Sequence, residues 1–132
     1  MELTLLGTLI EIDEERLGSG RRKVLRQLDE YRCGVRKNFQ LGVKYPDNFR
    51  GEVMQELRRI PYGETRTYGQ IAEELDSAPV AVGRACSNNP VPVVVPCHRV
   101  VGKDSLGGYQ YGQLKKKLLA LEKSLKSSQQ DN

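Results

Sequence analysis

The segment NPVPVVVPCHRVV, residues 89–101, decides how the rest of the chain is interpreted. Its valines favour buried, extended backbone, while its prolines cannot donate to a sheet ladder. We therefore expect a stiff extended rail and not a central strand. Pro96 suits the first turn of a helix, so residues 96–99 are predicted to form a single helical turn. The amide-rich start of such a turn would stabilise a thiolate at Cys97.

Cys97 and His98 admit several chemical interpretations. A cysteine protease or amidase needs a separate histidine within reach of the thiol, whereas His98 is the chain's one histidine and directly follows the cysteine. A zinc site would need further ligands at C-x-x-C spacing, so no metal is expected. The simplest alternative is that Cys97 is a small buried hydrophobe and His98 a hydrogen-bonded core residue.

Composition places the chain among ordinary globular proteins. With 132 residues, we expect one domain carrying a small N-terminal appendage. The three cysteines are odd in number and irregularly spaced, which does not make a disulfide framework. The acidic start is unlike a signal peptide, and no apolar run approaches the ~20 residues that span a bilayer. A cytoplasmic location without membrane contact is predicted.

Charge is distributed unevenly along the chain. The formal net charge is +4, yet residues 1–15 hold five acids and no base. Residues 77–121 hold six bases against one acid. A basic C-terminal half suggests a polyanionic partner, although a solvated helix face would give the same counts.

Hydrophobic periodicity outlines the remaining elements. Residues 1–12 alternate as in a strand or hairpin, and residues 39–43 are a short strand candidate. One helix is predicted at residues 22–33, and a second is capped by Asp47 or Asn48 and stopped by Pro61. A final helix has apolar positions at Leu114, Leu118, Leu121 and Leu125. Residues 127–132 are predicted to be a disordered tail.

Two short helices lie close together in the middle of the chain. Thr67 and Gln70 form a capping-box pattern at the start of the first. Asp76 and Ser77 make a minimal connection, after which Pro79 suits the first turn of the second. This spacing is typical of a helix-turn-helix whose second helix would meet DNA.

Together these segments resemble one known family. NPVPVVVPCHRVV resembles the active-site motif of the O6-alkylguanine-DNA alkyltransferases. IPYGETRTYGQIA (60–72), AVGRACSNNP (81–90) and GGYQYGQLKKKLLALE (107–122) are similar to that family's turn and first DNA-binding helix, its recognition helix, and its binding loop with the closing helix. The resemblance covers roughly residues 48–124.

The resemblance implies an α+β fold. A C-terminal alkyltransferase domain of winged-helix-like or helix-turn-helix type would occupy residues 47–126. A shortened sheet-plus-helix region at residues 1–46 would precede it, without the zinc ligands that some family members carry there.

The resemblance also implies an activity. Such proteins flip O6-methylguanine, with O4-methylthymine as a second candidate substrate, out of duplex DNA and transfer the alkyl group irreversibly to their own cysteine. The transfer happens once per molecule, needs no cofactor, and is expected here of a monomer. Two alternatives stay open: an alkyltransferase-like protein that binds lesions with little or no transfer, and a helix-turn-helix regulator.

Site residues follow by position. Cys97 would accept the alkyl group, His98 would act as base through a water, Glu122 would orient His98, and Tyr68 would donate to the guanine ring. Asn89 would tie the recognition helix to the active-site turn. The remaining expected DNA- or base-binding positions are Gly83 and Arg84 on the recognition helix, Pro92, Val100, Gly108 and Tyr109 around the base, and Arg99 as a structural or phosphate-facing charge.

Two positions depart from the family pattern. The family usually has an arginine where this chain has Val80, and an apolar wedge lacks that residue's hydrogen bonds. The loop also reads YQYG where Tyr-x-Gly-Gly is commoner, and the usual serine donor to the guanine oxygen has no counterpart. Gln110 or a backbone amide would take that role.

Overall fold

An antiparallel hairpin opens the chain. Strands β1 (Glu2–Leu5) and β2 (Thr8–Glu11) pair with Leu5 opposite Thr8, and both turn residues, Leu6 and Gly7, have positive φ. This turn geometry matches the natural twist of paired strands. The hairpin predicted for residues 1–12 is confirmed. The computed structural model describes the backbone of residues 1–130 and the side chains of residues 1–126.

Five helices and a second small sheet complete the described elements. The helices are α1 (Arg21–Arg32), α2 (Phe49–Leu57), α3 (Tyr68–Glu74), α4 (Pro79–Ser87) and α5 (Leu114–Gln130). Strands β3 (Arg66–Thr67) and β4 (Val100–Val101) pair in parallel. The fold is α+β, as the sequence predicted. No helix within residues 1–130 is both long and apolar enough to cross a membrane.

The predicted strand at residues 39–43 is wrong. Only Val43 forms a bridge, a single one to Leu17. Side chains occupy the backbone groups that a strand would need: Gln27 accepts from the Gln40 amide, and Arg58 donates to the carbonyls of residues 39 and 41. The segment is therefore held as an irregular link between α1 and α2.

The two middle helices form as predicted. The Thr67 side chain accepts from the Gln70 amide at 3.0 Å, and the Gln70 side chain accepts from the Thr67 amide at 2.8 Å. Asp76 takes a positive φ of 51° in the connection, and Pro79 begins α4. Because β3 precedes α3 directly and pairs with β4, the helix pair is tied to the Cys97–His98 segment.

One hydrophobic core runs through the chain. It includes residues of the hairpin and α1 (Leu5, Ile10, Val24, Tyr31) together with residues of α2, α4 and α5 (Met54, Val82, Leu118). The boundary predicted between residues 46 and 47 therefore marks where the family resemblance begins. The hydrophobic core includes residues on both sides of it.

The closing helix extends further than the sequence pattern suggested. The tail was predicted to start at residue 127, but the backbone of α5 is helical to Gln130. Residues 122–130 contain no proline or glycine to end the helix. The last two residues of the predicted tail, 131 and 132, lie outside the described residues.

Candidate active site around Cys97

The segment before Cys97 is a turn and not the extended rail that was predicted. The amide of Val95 donates to the carbonyl of Val91 at 3.0 Å, and Val93 has a φ of +74°. Asn89 braces this turn from inside, because its side chain accepts from the Val91 amide and donates to the Val95 carbonyl. The internal bonds replace the ladder that prolines deny to this segment.

Cys97 begins a single helical turn, as predicted, and is almost fully buried. The 3₁₀ turn spans Cys97–Arg99, and the thiol has 2% exposure. The Asn89 side-chain amide donates to Sγ at 3.2 Å. Asn89 thus joins the end of α4 to the thiol, in the position expected for it.

The expected stabilisation of the thiolate by the turn is outweighed by burial in the free protein. Burial raises the pKa of Cys97 to about 11, although the Asn89 hydrogen bond and the nearby charge of Lys115 oppose the rise. A turn of three residues carries little of the dipole of a full helix, so desolvation dominates. The resting thiol is therefore protonated at neutral pH.

Behind the turn, Glu122 is a buried carboxylate surrounded by donors. It has 1% exposure and accepts five hydrogen bonds. Oε1 accepts from Arg99 Nε at 2.8 Å and the Gly63 amide at 3.2 Å, while Oε2 accepts from Tyr31 at 2.6 Å, His98 Nε2 at 2.7 Å and Arg99 Nη2 at 3.0 Å. Burial alone would raise the pKa of Glu122, but the hydrogen bonds and charges of His98 and Arg99 outweigh it and lower the pKa to about 2.

This carboxylate fixes the tautomer of His98. Because Glu122 is ionised, the ring nitrogen facing it, Nε2, carries a proton and donates it. Nδ1 is buried and makes no hydrogen bond to any described residue, so the neutral ring keeps a lone pair there. Burial lowers the pKa of His98, which keeps the ring neutral near pH 7.

Arg99 belongs to this buried network and does not face the surface. Its exposure is 6%, and besides Glu122 it donates to the Ile60 carbonyl at 2.8 Å and lies 5.6 Å from the centre of the Tyr62 ring. Of the two roles expected for Arg99, the phosphate contact does not fit this position. Five N–H donors on a rigid guanidinium explain why an arginine suits the crossing of three elements.

In front of the turn lies a cavity of about 490 Å³ that reaches the thiol. Its lining is mostly apolar and comes from the start of α3, from α4, from the Cys97 turn and from the loop before α5. The lining residues are Tyr68, Pro79, Val80, Gly83, Cys86, Ser87, Cys97, Gly108, Tyr109 and Gln110. A concave apolar site with few polar groups is the usual form of a ligand pocket.

Lys115 contacts two of the residues that line this cavity, Tyr68 and Gly108. The side chain is buried, and Nζ donates to the Gly108 carbonyl at 3.0 Å and to the Tyr68 hydroxyl at 3.4 Å. Tyr68 in turn donates to the Gly108 carbonyl at 3.3 Å. Burial lowers the pKa of Lys115, whereas ionised Cys97 would raise it, so a thiolate and this ammonium stabilise each other.

The other predicted site residues divide into three groups. Val80, Gly83, Gly108 and Tyr109 line the cavity, with Val80 68% exposed at the start of α4. Arg84 is exposed on α4, outside the lining. Pro92 and Val100 are buried and are not among the lining residues.

Comparison with known proteins identifies the chain. A family model described as 6-O-methylguanine DNA methyltransferase, DNA binding domain, matches residues 48–124, more than half of the chain. The chain belongs to this family. Methylated-DNA–protein-cysteine methyltransferases of Methanocaldococcus vulcanius and Archaeoglobus fulgidus are each 44% identical to this methyltransferase-family chain over 74% of its length.

A solved structure agrees with the family assignment. Mycobacterium tuberculosis OGT in complex with DNA is 40% identical, with a TM-score of 0.74 over 78% of this chain and 66% of that one. The methyltransferase-family chain spans 53% and 71% of the lengths of the Methanocaldococcus and Archaeoglobus relatives.

Three residues in or around the methyltransferase site were given no site role in the sequence-based prediction. Lys115 was counted with a solvated run of lysines, although residues 115, 118 and 122 share one helix face at spacings of three and four. Tyr31 gave no signal beyond its place among apolar residues of α1. Cys86 was noted only as a cysteine, yet it lines the cavity with Cys97.

Proposed function

We propose that this protein repairs DNA by transferring the alkyl group of O6-methylguanine, with O4-methylthymine as a second candidate substrate, irreversibly to Cys97. The observation that carries the proposal is the thiol at the floor of an apolar cavity, with a buried histidine–carboxylate pair directly behind it. A helix-turn-helix regulator would need neither feature. The membership of the family supports the same conclusion.

Access to Cys97 requires the damaged base to leave the double helix. The thiol is 2% exposed, so a stacked base cannot reach it. Extruding a nucleotide costs on the order of a few kcal/mol, least when the base is damaged. The cavity opens beside the exposed start of α4, where Val80 would stand in the place of the extruded base. The partner we propose is therefore double-stranded DNA containing alkylated guanine, bound by a monomer without a cofactor.

In the transfer step the sulfur–carbon bond forms as the bond between the alkyl carbon and O6 breaks. His98, with its free lone pair at Nδ1, takes the thiol proton through a water, and Glu122 stabilises the imidazolium that results. The departing guanine gains a proton from the Tyr68 hydroxyl on the cavity wall. The proton on His98 then restores Tyr68 by way of solvent, so the thiol proton ends on the base.

Lys115 would make the protonated resting thiol usable. Its ammonium lowers the pKa of Cys97 against the effect of burial, and it also holds the Tyr68 hydroxyl that faces the same cavity. A bound base that excludes water would strengthen this charge interaction further. We propose that Lys115 stabilises the attacking thiolate.

A location in the cytoplasm, with association to the nucleoid when DNA is bound, is part of the same proposal. It rests on the odd number and irregular spacing of the cysteines, which do not make a disulfide framework. Arg84, which is exposed on α4 next to the cavity residue Gly83, would contact phosphates, so binding should weaken as salt rises.

The test is a single-turnover reaction with duplex DNA containing O6-methylguanine, followed by mass analysis of the intact protein and its peptides. We expect one added methyl group, on Cys97, and none in Cys97→Ala. Cys86→Ser is the matched control, because Cys86 lines the same cavity and its pKa is raised to about 12 by burial. It should transfer as the wild type does. A methyl group on Cys86 would refute the proposal.

The same experiment separates the alternatives. Tight binding of the lesion with no mass increase would favour an alkyltransferase-like protein that marks lesions. Binding that is independent of the lesion would favour a regulator.

A further inference from the structure

We propose that Tyr31 is a positioning residue for the Glu122–His98 pair, so that the N-terminal region supplies part of the alkyl-acceptor site. This inference deepens the proposed function and rests on it for its consequence in catalysis. Tyr31 lies on α1, outside the segment 48–124 that the family model matches. It does not touch the cavity and would act only through Glu122.

The contact is short, buried and charge-assisted. The Tyr31 hydroxyl donates to Glu122 Oε2 at 2.6 Å, across 91 positions of the sequence, and Tyr31 has 0% exposure. Hydrogen bonds to an ionised acceptor are about twice as strong as neutral ones. The same oxygen accepts from His98 Nε2 at 2.7 Å. The hydroxyl therefore acts on the atom that orients the imidazole.

Packing alone does not require this hydroxyl. The Tyr31 ring lies 5.4 Å from the Phe39 ring and 6.1 Å from the Tyr62 ring, contacts that a phenylalanine would keep. Burial and the charge of Glu122 raise the pKa of Tyr31 well above its usual value, so it stays a neutral donor throughout the physiological range. Its hydroxyl thus serves Glu122 at every pH at which the protein would act.

Removing the hydroxyl should change the electrostatics at His98. The titratable and charged groups around the pair are Glu122 and Lys115 from α5, Arg99 and Cys97 from the turn, Tyr31 from α1, and Tyr62 from the segment after α2. The positive end of the Tyr31 O–H dipole points at Oε2 and offsets part of its charge. Without that dipole the carboxylate attracts the imidazolium more strongly, which raises the pKa of His98.

The experiment compares Tyr31→Phe with Tyr62→Phe. Tyr62 is the matched control, because its hydroxyl is also buried in this cluster but makes no hydrogen bond with the described residues. His98 is the one histidine in the sequence, so imidazole NMR signals report it without ambiguity. We expect the His98 titration to move to higher pH in Tyr31→Phe and to stay in place in Tyr62→Phe.

Alkyl transfer gives a second readout. A base must be neutral to accept a proton, so the acid limb of the pH–rate profile should also move to higher pH in Tyr31→Phe. At a given pH on that limb we expect a roughly threefold slower transfer. Equal shifts in both variants, or no shift in either, would overturn the proposal and leave Tyr31 as a packing residue.

A third protein covers the case in which Tyr31→Phe does not fold. Replacing Tyr31 with 3-fluorotyrosine keeps the ring and makes the hydroxyl a stronger donor, so the His98 titration should move to lower pH. An unmoved titration would contradict the proposal. If the wild type transfers no alkyl group while the titration still shifts as expected, the proposed function fails and the positioning role stands.

Discussion

The two sides of the Cys97–Arg99 turn are built in opposite ways. Behind it, Glu122 has 1% exposure, and each of its oxygens accepts from two or more donors. In front of it lies a cavity of about 490 Å³ whose walls are mostly apolar, with Val80 68% exposed at its edge. Behind the turn the carboxylate already has its hydrogen bonds in the free protein, and in front of it the cavity leaves room for a ligand.

This difference assigns separate tasks to the two sides. Charges that are already hydrogen-bonded need no rearrangement when a reaction occurs, which is the basis of electrostatic preorganisation. An apolar cavity, in contrast, recognises by shape and by the few polar atoms at its edge. We therefore expect substitutions behind the turn to affect stability and transfer together, and substitutions in front to affect transfer alone.

The largest effect is expected for Glu122→Gln. It removes the negative charge that balances buried Arg99, and breaking a buried pair costs ~3–5 kcal/mol. Denaturant unfolding would measure this loss, and single-turnover transfer should slow by roughly a hundredfold. Glu64→Gln is the control, since Glu64 is 39% exposed and its pairs with Arg66 and Lys126 are at the surface. A similar loss in both variants would break the comparison.

The difference in unfolding free energy between wild type and Glu122→Gln should change with pH in one direction. The pKa of Glu122 is lowered from 4.5 to about 2, so its charge stabilises the fold fully above pH 4.5. As the pH falls from 4.5 towards 2, Glu122 becomes protonated and its contribution to the unfolding free energy is lost. The gap in unfolding free energy between wild type and Glu122→Gln should narrow over this window. A gap that is constant down to pH 2 would show that the charge of Glu122 does not contribute.

An intermediate effect is expected for Lys115→Met, which should slow transfer about tenfold at neutral pH by removing the cation beside the thiol.

Reactivity of Cys97 with iodoacetamide tests the same charge interaction. Because the pKa of Cys97 is raised to about 11, labelling of Cys97 should increase with pH throughout the neutral and mildly alkaline range. Loss of Lys115 should displace that curve to higher pH. Lys116→Met is the control, because Lys116 is exposed on the same helix. Identical curves for both variants would remove Lys115 from the mechanism.

The smallest effect is expected for Val80→Arg. An arginine here adds hydrogen-bonding groups at the edge of the cavity without touching the thiol, so transfer from duplex DNA should quicken about threefold. Reaction with free O6-benzylguanine, which needs no base flipping, should stay as it is. Equal changes for the two substrates would mean that Val80 acts on the cavity and not on the duplex.

Local signals predicted most of the elements that position the site. The capping box of Thr67 and Gln70, Pro79 at the start of α4, and the leucine spacing of α5 each act within a few residues, so they can be recognised in the sequence. The strand predicted at residues 39–43 does not form, because the side chains of Gln27 and Arg58 make hydrogen bonds with its backbone from elsewhere in the sequence. Propensity cannot anticipate hydrogen bonds from other elements.

The site itself was predicted by resemblance and corrected by burial. Cys97, His98 and Glu122 were assigned to one site, and the structure brings them together. The thiolate was expected from the helical turn alone, whereas burial of the turn raises the pKa of Cys97. Arg99 has the structural one of the two roles expected of it, and Lys115, for which no site role was predicted, contacts the cavity residues Tyr68 and Gly108.

The hydrogen bonds of Glu122 also determine when the site can exist during folding. They join residues that lie 91, 59, 24 and 23 positions apart along the chain. Contacts between residues far apart in the sequence are slow to form, because the chain loses the entropy of closing each loop before the contact stabilises it. A chain still emerging from the ribosome cannot assemble this carboxylate until α5 has been made. Activity of the alkyl acceptor would therefore report that α1, the Cys97–Arg99 turn and α5 have come together.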